Sequence, residues 1–154
     1  MDTGAMPVLW WEDFKVGEVV EMGRYTFTEP EIVAFARQFD PQPFHTDPAA
    51  ARDSFYGKLI ASGWHTCAIG MRLMCETTIN RTVSMGSPGV DNIRWLKPVR
   101  AGDTLTYRRH VLEARASRSR PEAGLVKSRW EALNQDGEVV LTMEGWDMFG
   151  RRPK

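Results

Sequence analysis

The sequence predicts an α+β domain in which an antiparallel sheet curls around one helix. Three observations carry that expectation. Residues 63–79 are apolar on nearly every side, through Trp64, Cys67, Ala68, Ile69, Met71, Leu73, Met74 and Cys75, and a helix of that kind is buried. Residues 90–96, 104–116, 124–134 and 138–149 all read as strands. The order is one strand, then helices, then a run of strands, with no internal repeat and no linker. At 154 residues the chain fits one domain, residues 1–154, with its core at about residues 16–149.

The elements follow in order. Residues 1–15 are a lead-in whose Trp10, Trp11 and Phe14 are expected to cover an edge of the core. Residues 16–28 read as a strand, with Gly17 and Gly23 as bends. Thr28-Glu29-Pro30-Glu31 is a helix start: Thr28 can cap, Glu31 is the return half of a capping box, and Pro30 is tolerated in the first turn. Ile32, Phe35, Ala36 and Phe39 then recur at helical spacing. This helix should end by Asp40, because Pro41 disfavours the α region for its predecessor. Residues 40–46 read as a stiff loop. Asp47 and Pro48 restart a short helix through Ala49, Ala50 and Ala51. Residues 54–61 connect it to the apolar helix, which Ser62 caps.

In the strand-rich half, Val126, Ser128, Trp130 and Ala132 alternate with Lys127, Arg129 and Glu131, as a strand with one buried face requires. Asp136-Gly137 makes a tight hairpin turn before the last strand. Pro98 and Gly102-Asp103 separate the earlier pair. Arg151-Arg152-Pro153-Lys154 reads as a frayed basic end.

Composition narrows the function classes. A hydrophobic share of 42% with 26% charged residues is ordinary for a soluble globular protein and argues against disorder. No apolar run approaches the roughly 20 residues of a membrane span, and residues 1–7 lack the features of a signal peptide. Twenty basic residues balance twenty acidic ones, so net charge gives no reason to expect nucleic acid or a membrane surface as partner. The balance hides a skew, with a net of −5 over residues 1–93 and +5 over 94–154. A basic half could meet an anionic ligand, although solvated faces of two-sided strands are the preferred reading of any single charge. Cys67 and Cys75, eight residues apart on a helix, would sit about 12 Å apart, beyond the roughly 7 Å a disulfide tolerates. Two buried thiols and a reducing, cytoplasmic location are therefore expected. The cysteines lack zinc-site spacing, and the histidines stand in separate elements, so no metal site is expected.

The chemistry concentrates between Phe39 and Asp47. Asp40 and His45 lie in one short loop held by Pro41 and Pro43. A carboxylate and an imidazole converging on one water make an acid–base pair, and the prolines suit a site of fixed geometry. The alternative is that Asp40 caps a turn and His45 packs under the loop. Ser62-Gly63 lacks the Gly-x-Ser-x-Gly pattern of a nucleophile elbow. His110, beside Arg108 and Arg109, reads as a surface or edge residue.

The Asp40-Pro-Gln-Pro-Phe-His45 loop follows a helix containing Ile32-x-x-Phe35-Ala36, and Leu59-Ile-Ala-Ser-Gly-Trp64 precedes the apolar helix. This arrangement, with Asp91-Asn-Ile-Arg-Trp-Leu-Lys-Pro-Val-Arg-Ala-Gly-Asp103 after it, resembles the MaoC-like dehydratase family, which includes the (R)-specific enoyl-CoA hydratases and has a hot-dog fold. The resemblance runs over residues 16–149. It implies a five- to six-stranded antiparallel sheet around the helix of residues 63–79, Asp40 and His45 as catalytic pair, and Gly63 as the residue whose backbone N–H holds a thioester oxygen. A helix start favours negative charge, which agrees with that role for Gly63; close packing is the plainer account of the glycine. Gln42 stands where Asn is commoner, Ser62 where many members have His, and Trp64 and His65 where smaller or aliphatic residues are common. With Pro43, these residues are expected beside the substrate, although a core aromatic under the sheet is the preferred reading of Trp64 itself.

The implied activity is reversible addition of water to a trans-2-enoyl-CoA. No separate cofactor is implied, since coenzyme A is part of the substrate; an acyl-carrier thioester would serve the same chemistry. Arg94, Lys97 and Arg100 could meet coenzyme A phosphates, but edge charges that discourage aggregation are the preferred reading. A homodimer or higher homo-oligomer is expected, with the acyl pocket near the interface. A hot-dog thioesterase and a non-catalytic acyl-CoA-binding partner subunit are the rival readings.

Overall fold

A computed structural model describes residues 5–154; the first four residues of the lead-in lie outside them. Five strands, β1 (Val19–Thr26), β2 (Gly89–Trp95), β3 (Thr104–Ala116), β4 (Ala123–Leu133) and β5 (Val139–Gly150), form one sheet in the order β1-β3-β4-β5-β2. Every neighbouring pair is antiparallel. Four helices lie between β1 and β2: α1 (Glu29–Phe39), α2 (Pro43–Thr46), α3 (Pro48–Arg52) and α4 (Gly63–Thr77). This is the expected α+β hot-dog arrangement, with α4 held against the curved sheet. No helix among the described residues is long and apolar enough to cross a membrane.

The alternation in β4 explains the packing. Val126, Ser128, Trp130 and Ala132 are buried while Lys127, Arg129 and Glu131 are only partly covered. Trp130 and Ala132 join Leu105, Tyr107 and Leu141 in the main core, against Ile69, Leu73 and Met74 of α4. Each Leu, Ile and Met among them contributes about 1.5–3 kcal/mol on burial. Helix and sheet meet closely: a β-carbon on Gly70 would stand 3.1 Å from Tyr107, and the Tyr107 hydroxyl donates to the Thr66 carbonyl at 2.8 Å. Gly23, at a bulge in β1 with φ +139, lets that strand pass Leu73.

The lead-in covers the far end of the core, as its aromatics predict. Phe14 stacks on Phe149 at 4.7 Å beside Val111 and Val126. Trp11 donates to the Leu125 carbonyl at 3.1 Å. Gly124 leaves room for that indole, which any β-carbon there would overlap.

The sheet has five strands, within the expected five to six. Several local expectations are corrected. Thr28 occupies the N-cap position of α1 by its backbone but makes no side-chain cap; Glu31 accepts instead from the Tyr25 hydroxyl on β1. The segment of residues 40–46 is half helical, because Pro43 starts the single turn α2. The basic tail is tied down: Glu12 accepts from the Arg152 backbone at 2.9 Å and Asp13 from its guanidinium at 2.7 Å. Both cysteines are free and only half buried. The largest correction concerns α4. The sheet covers one side of it, and Trp64, Ala68 and Met71 face outward. With Val90, Trp95 and Leu96 on and after β2, they leave large apolar side chains exposed in the single chain.

Candidate active site

The site begins where α1 stops. Asp40 leaves helical geometry ahead of Pro41, and its N–H donates to the Ala36 carbonyl at 2.8 Å. The chain then turns into α2, which presents His45 back toward Asp40. The His45 Nε2 and Asp40 Oδ2 stand 3.3 Å apart, so the two expected partners do converge. His45 is 5% exposed, and its Nδ1 lies 2.6 Å from the Ile60 carbonyl. A carbonyl can only accept, so Nδ1 donates to it, and Nε2 is the ring nitrogen turned toward Asp40.

Two donors hold the Asp40 carboxylate. Gln42 Nε2 donates to Oδ1 and the Ser62 hydroxyl to Oδ2, each at 2.7 Å. Burial pushes the carboxyl up, but the bonds from Gln42 and Ser62, with His45 beside them, outweigh it and hold the group below its usual range. Asp40 is thus an anion near neutrality.

Ser62 also caps α4, accepting from the Trp64 N–H at 3.2 Å. One hydroxyl therefore ties the helix start to the carboxylate. Gly63, the first residue of α4, has no intrahelical acceptor for its N–H, and it lines the same cleft as Asp40 and His45. The Trp95 indole packs so closely on Gly63 that any β-carbon would overlap it. Trp64 meets Trp95 edge to face at 5.1 Å. The cleft encloses about 570 Å³, and Phe44, Tyr56 and Thr66 also line it.

Gln42 and Trp64 stand in the cleft wall as expected. Pro43, Ser62 and His65 do not. Pro43 forms the first turn of α2, and Ser62 is fully buried behind Asp40. His65 stacks on Phe35 at 4.6 Å and meets Phe27 edge to face at 4.9 Å; its Nδ1 has no partner and burial pushes its pKa down. Trp95, Phe44 and Tyr56 join the cleft wall without a local sequence signal for that role, although Trp95 and Phe44 lie within the family-like motifs. His110 sits on β3, half buried, with Nε2 2.7 Å from Glu131.

A curved antiparallel sheet on one helix, with an Asp–His pair sharing a cleft with the free Gly63 N–H at that helix's start, defines a hot-dog protein with an acid–base cleft. The chain belongs to the family described as MaoC like domain, which matches residues 13–130. The MaoC-like dehydratase structure from Rhodospirillum rubrum is 41% identical, with a TM-score of 0.86, covering 95% of this chain and 99% of that one. A mesaconyl-CoA hydratase from Cereibacter sphaeroides is 42% identical over 59 residues, which is 38% of this chain and 17% of the relative. A Mycobacterium tuberculosis protein described as a double hotdog fold superposes with a TM-score of 0.80 at 17% identity, over 96% of this chain and 46% of its own.

Proposed function

We propose that the protein catalyses reversible hydration of a trans-2-enoyl-CoA to a 3-hydroxyacyl-CoA. The observation that carries the reading is the 3.3 Å approach of Asp40 and His45 in the cleft lined by Gly63. Membership of the MaoC-like family and the short match to a mesaconyl-CoA hydratase support it.

A water bound beside Asp40 Oδ2 and His45 Nε2, in contact with both, gives up a proton to the pair as its oxygen bonds to the β-carbon. The C=C electron pair moves toward the thioester oxygen, where the Gly63 N–H and the start of α4 stabilise the enolate charge. The proton then passes from the pair to the α-carbon. In reverse the same groups remove water. The acyl chain leaves the cleft past Trp64, which also lines an apolar cavity of about 340 Å³ between α4 and β2. The first test is loss of enoyl absorbance with crotonyl-CoA; a parent protein without turnover on crotonyl-CoA or on branched and dicarboxylic enoyl-CoAs would refute the reading.

Ser62 acts as a positioning residue in this scheme. Removing its hydroxyl takes a donor from the charged form of Asp40, so the Asp40 pKa rises. Ser62→Ala should move the acid limb of the kcat/KM profile to higher pH and cost about 1 kcal/mol of stability through the lost cap. A lower rate with an unmoved limb would leave Ser62 with a structural role only.

The open apolar face of α4 and β2 belongs to the same proposal: a second copy covers it and gives a homodimer. Sedimentation should return twice the chain mass, and Met71→Lys should shift it toward the monomer. A monomeric parent would contradict this.

A further inference from the structure

We propose that the loop of residues 52–58, with Arg100 beside it, holds the nucleotide end of the thioester carrier, the adenine on Phe55 and the phosphates on Arg52, Lys58 and Arg100. The inference rests on the enoyl-thioester reading for its substrate, but the site is defined by its own residues.

Arg52, Lys58 and Arg100 line one open depression of about 410 Å³. All three are exposed, and none is in an ion pair among the described residues, where Lys97 is bound to Glu138. Arg94 donates to the Ile93 carbonyl next to it. The two carboxylates in the depression differ. Asp103 is occupied, accepting from the Arg100 N–H and from Gln135 at 2.9 Å each; Glu29 lies at the start of α1. Three cations outside any ion pair stand with two carboxylates, a net of +1, and Asp103's oxygens are already engaged, so the depression offers an anion three cationic donors.

The depression adjoins the catalytic pair. Ile60 and Arg100 are partners in an antiparallel bridge, and the Ile60 carbonyl holds His45. An aromatic row leads outward from there: His45 to Phe44 at 4.5 Å, Phe44 to Tyr56 at 5.3 Å, Tyr56 to Phe55 at 5.3 Å. The row ends on Phe55, 97% exposed. The loop holds that ring out by its own bonds. Ser54 Oγ donates to the Ala51 carbonyl at 2.6 Å and accepts from the Tyr56 N–H at 3.2 Å, and Gly57 closes the turn at φ +67. A bare aromatic face flanked by unpaired cations suits a base attached to phosphates, since stacking needs only a π-face. A phosphopantetheine arm on a carrier protein offers neither an adenine nor a second phosphate group, so the site selects coenzyme A.

The test compares crotonyl-CoA with crotonyl-pantetheine. The parent should show a KM for crotonyl-CoA at least about tenfold lower, and Phe55→Ala and Arg52→Ala/Lys58→Ala should each shrink that ratio about tenfold. A ratio near one in the parent, or one the variants leave intact, overturns the proposal. Calorimetry with adenosine 3′,5′-bisphosphate provides an arm independent of turnover: the parent should bind it and both variants should bind it more weakly, while no binding to the parent overturns the site. Bisphosphate binding that the variants weaken, in a parent that does not hydrate enoyl-CoA, would sustain the site and refute the hydratase reading instead. Retained thermal melting confirms that each variant is folded.

Discussion

Replacing Asp40 with asparagine should lower hydration by about 10²–10⁴-fold while the melting temperature stays close to the parent's. Asn is nearly the same shape and can still accept from Ser62 or Gln42, which each bond Asp40 at 2.7 Å, so the loop keeps its anchors. What it loses is the anion. A neutral amide neither takes a proton from the water nor stabilises a proton resting on His45. His45→Ala should be as damaging to turnover, with an added stability cost because it empties a buried position and strands the Ile60 carbonyl. Crotonyl-CoA turnover measured beside thermal melting separates these effects. Near-parent kcat in folded Asp40→Asn would remove Asp40 from the mechanism.

Gly63→Ala is the second large effect, expected at about 10²–10³-fold in kcat. The methyl group cannot fit against Trp95, so either the indole or the start of α4 moves, and the N–H aimed at the thioester oxygen moves with it. Adding Trp95→Leu relieves the overlap and should restore at least about tenfold of the loss. Unchanged kcat in Gly63→Ala would show that the oxygen is held elsewhere.

Much of this architecture was legible in the chain because it depends on local pattern. The period-two alternation of residues 126–132 and the Asp136-Gly137 turn located β4 and β5, and Asp47-Pro48 located α3. The Asp40–His45 spacing was readable because both residues sit on one proline-bounded segment. Readings failed where a distant partner changed a residue's task. Glu31 is a good return half for a capping box, yet Tyr25 from β1 takes it. The tail looks frayed until Glu12 and Asp13 meet it. Ser62 read correctly as a cap, but its bond to Asp40 spans 22 positions and leaves no periodic trace. Arg100 groups with Arg94 and Lys97 along the sequence, whereas in space it shares a depression with Arg52 and Lys58. An apolar circumference marked α4 as buried; that pattern also fits a helix half covered by its own sheet, with the remaining face left for another surface.

The most direct measurement follows enoyl absorbance and free thiol together as the protein acts on crotonyl-CoA, with Asp40→Asn alongside. Rapid loss of the enoyl signal with no thiol released, and neither change in the variant, is the predicted result. Thiol release by the parent with the double bond intact would make the protein a thioesterase and contradict the hydration mechanism.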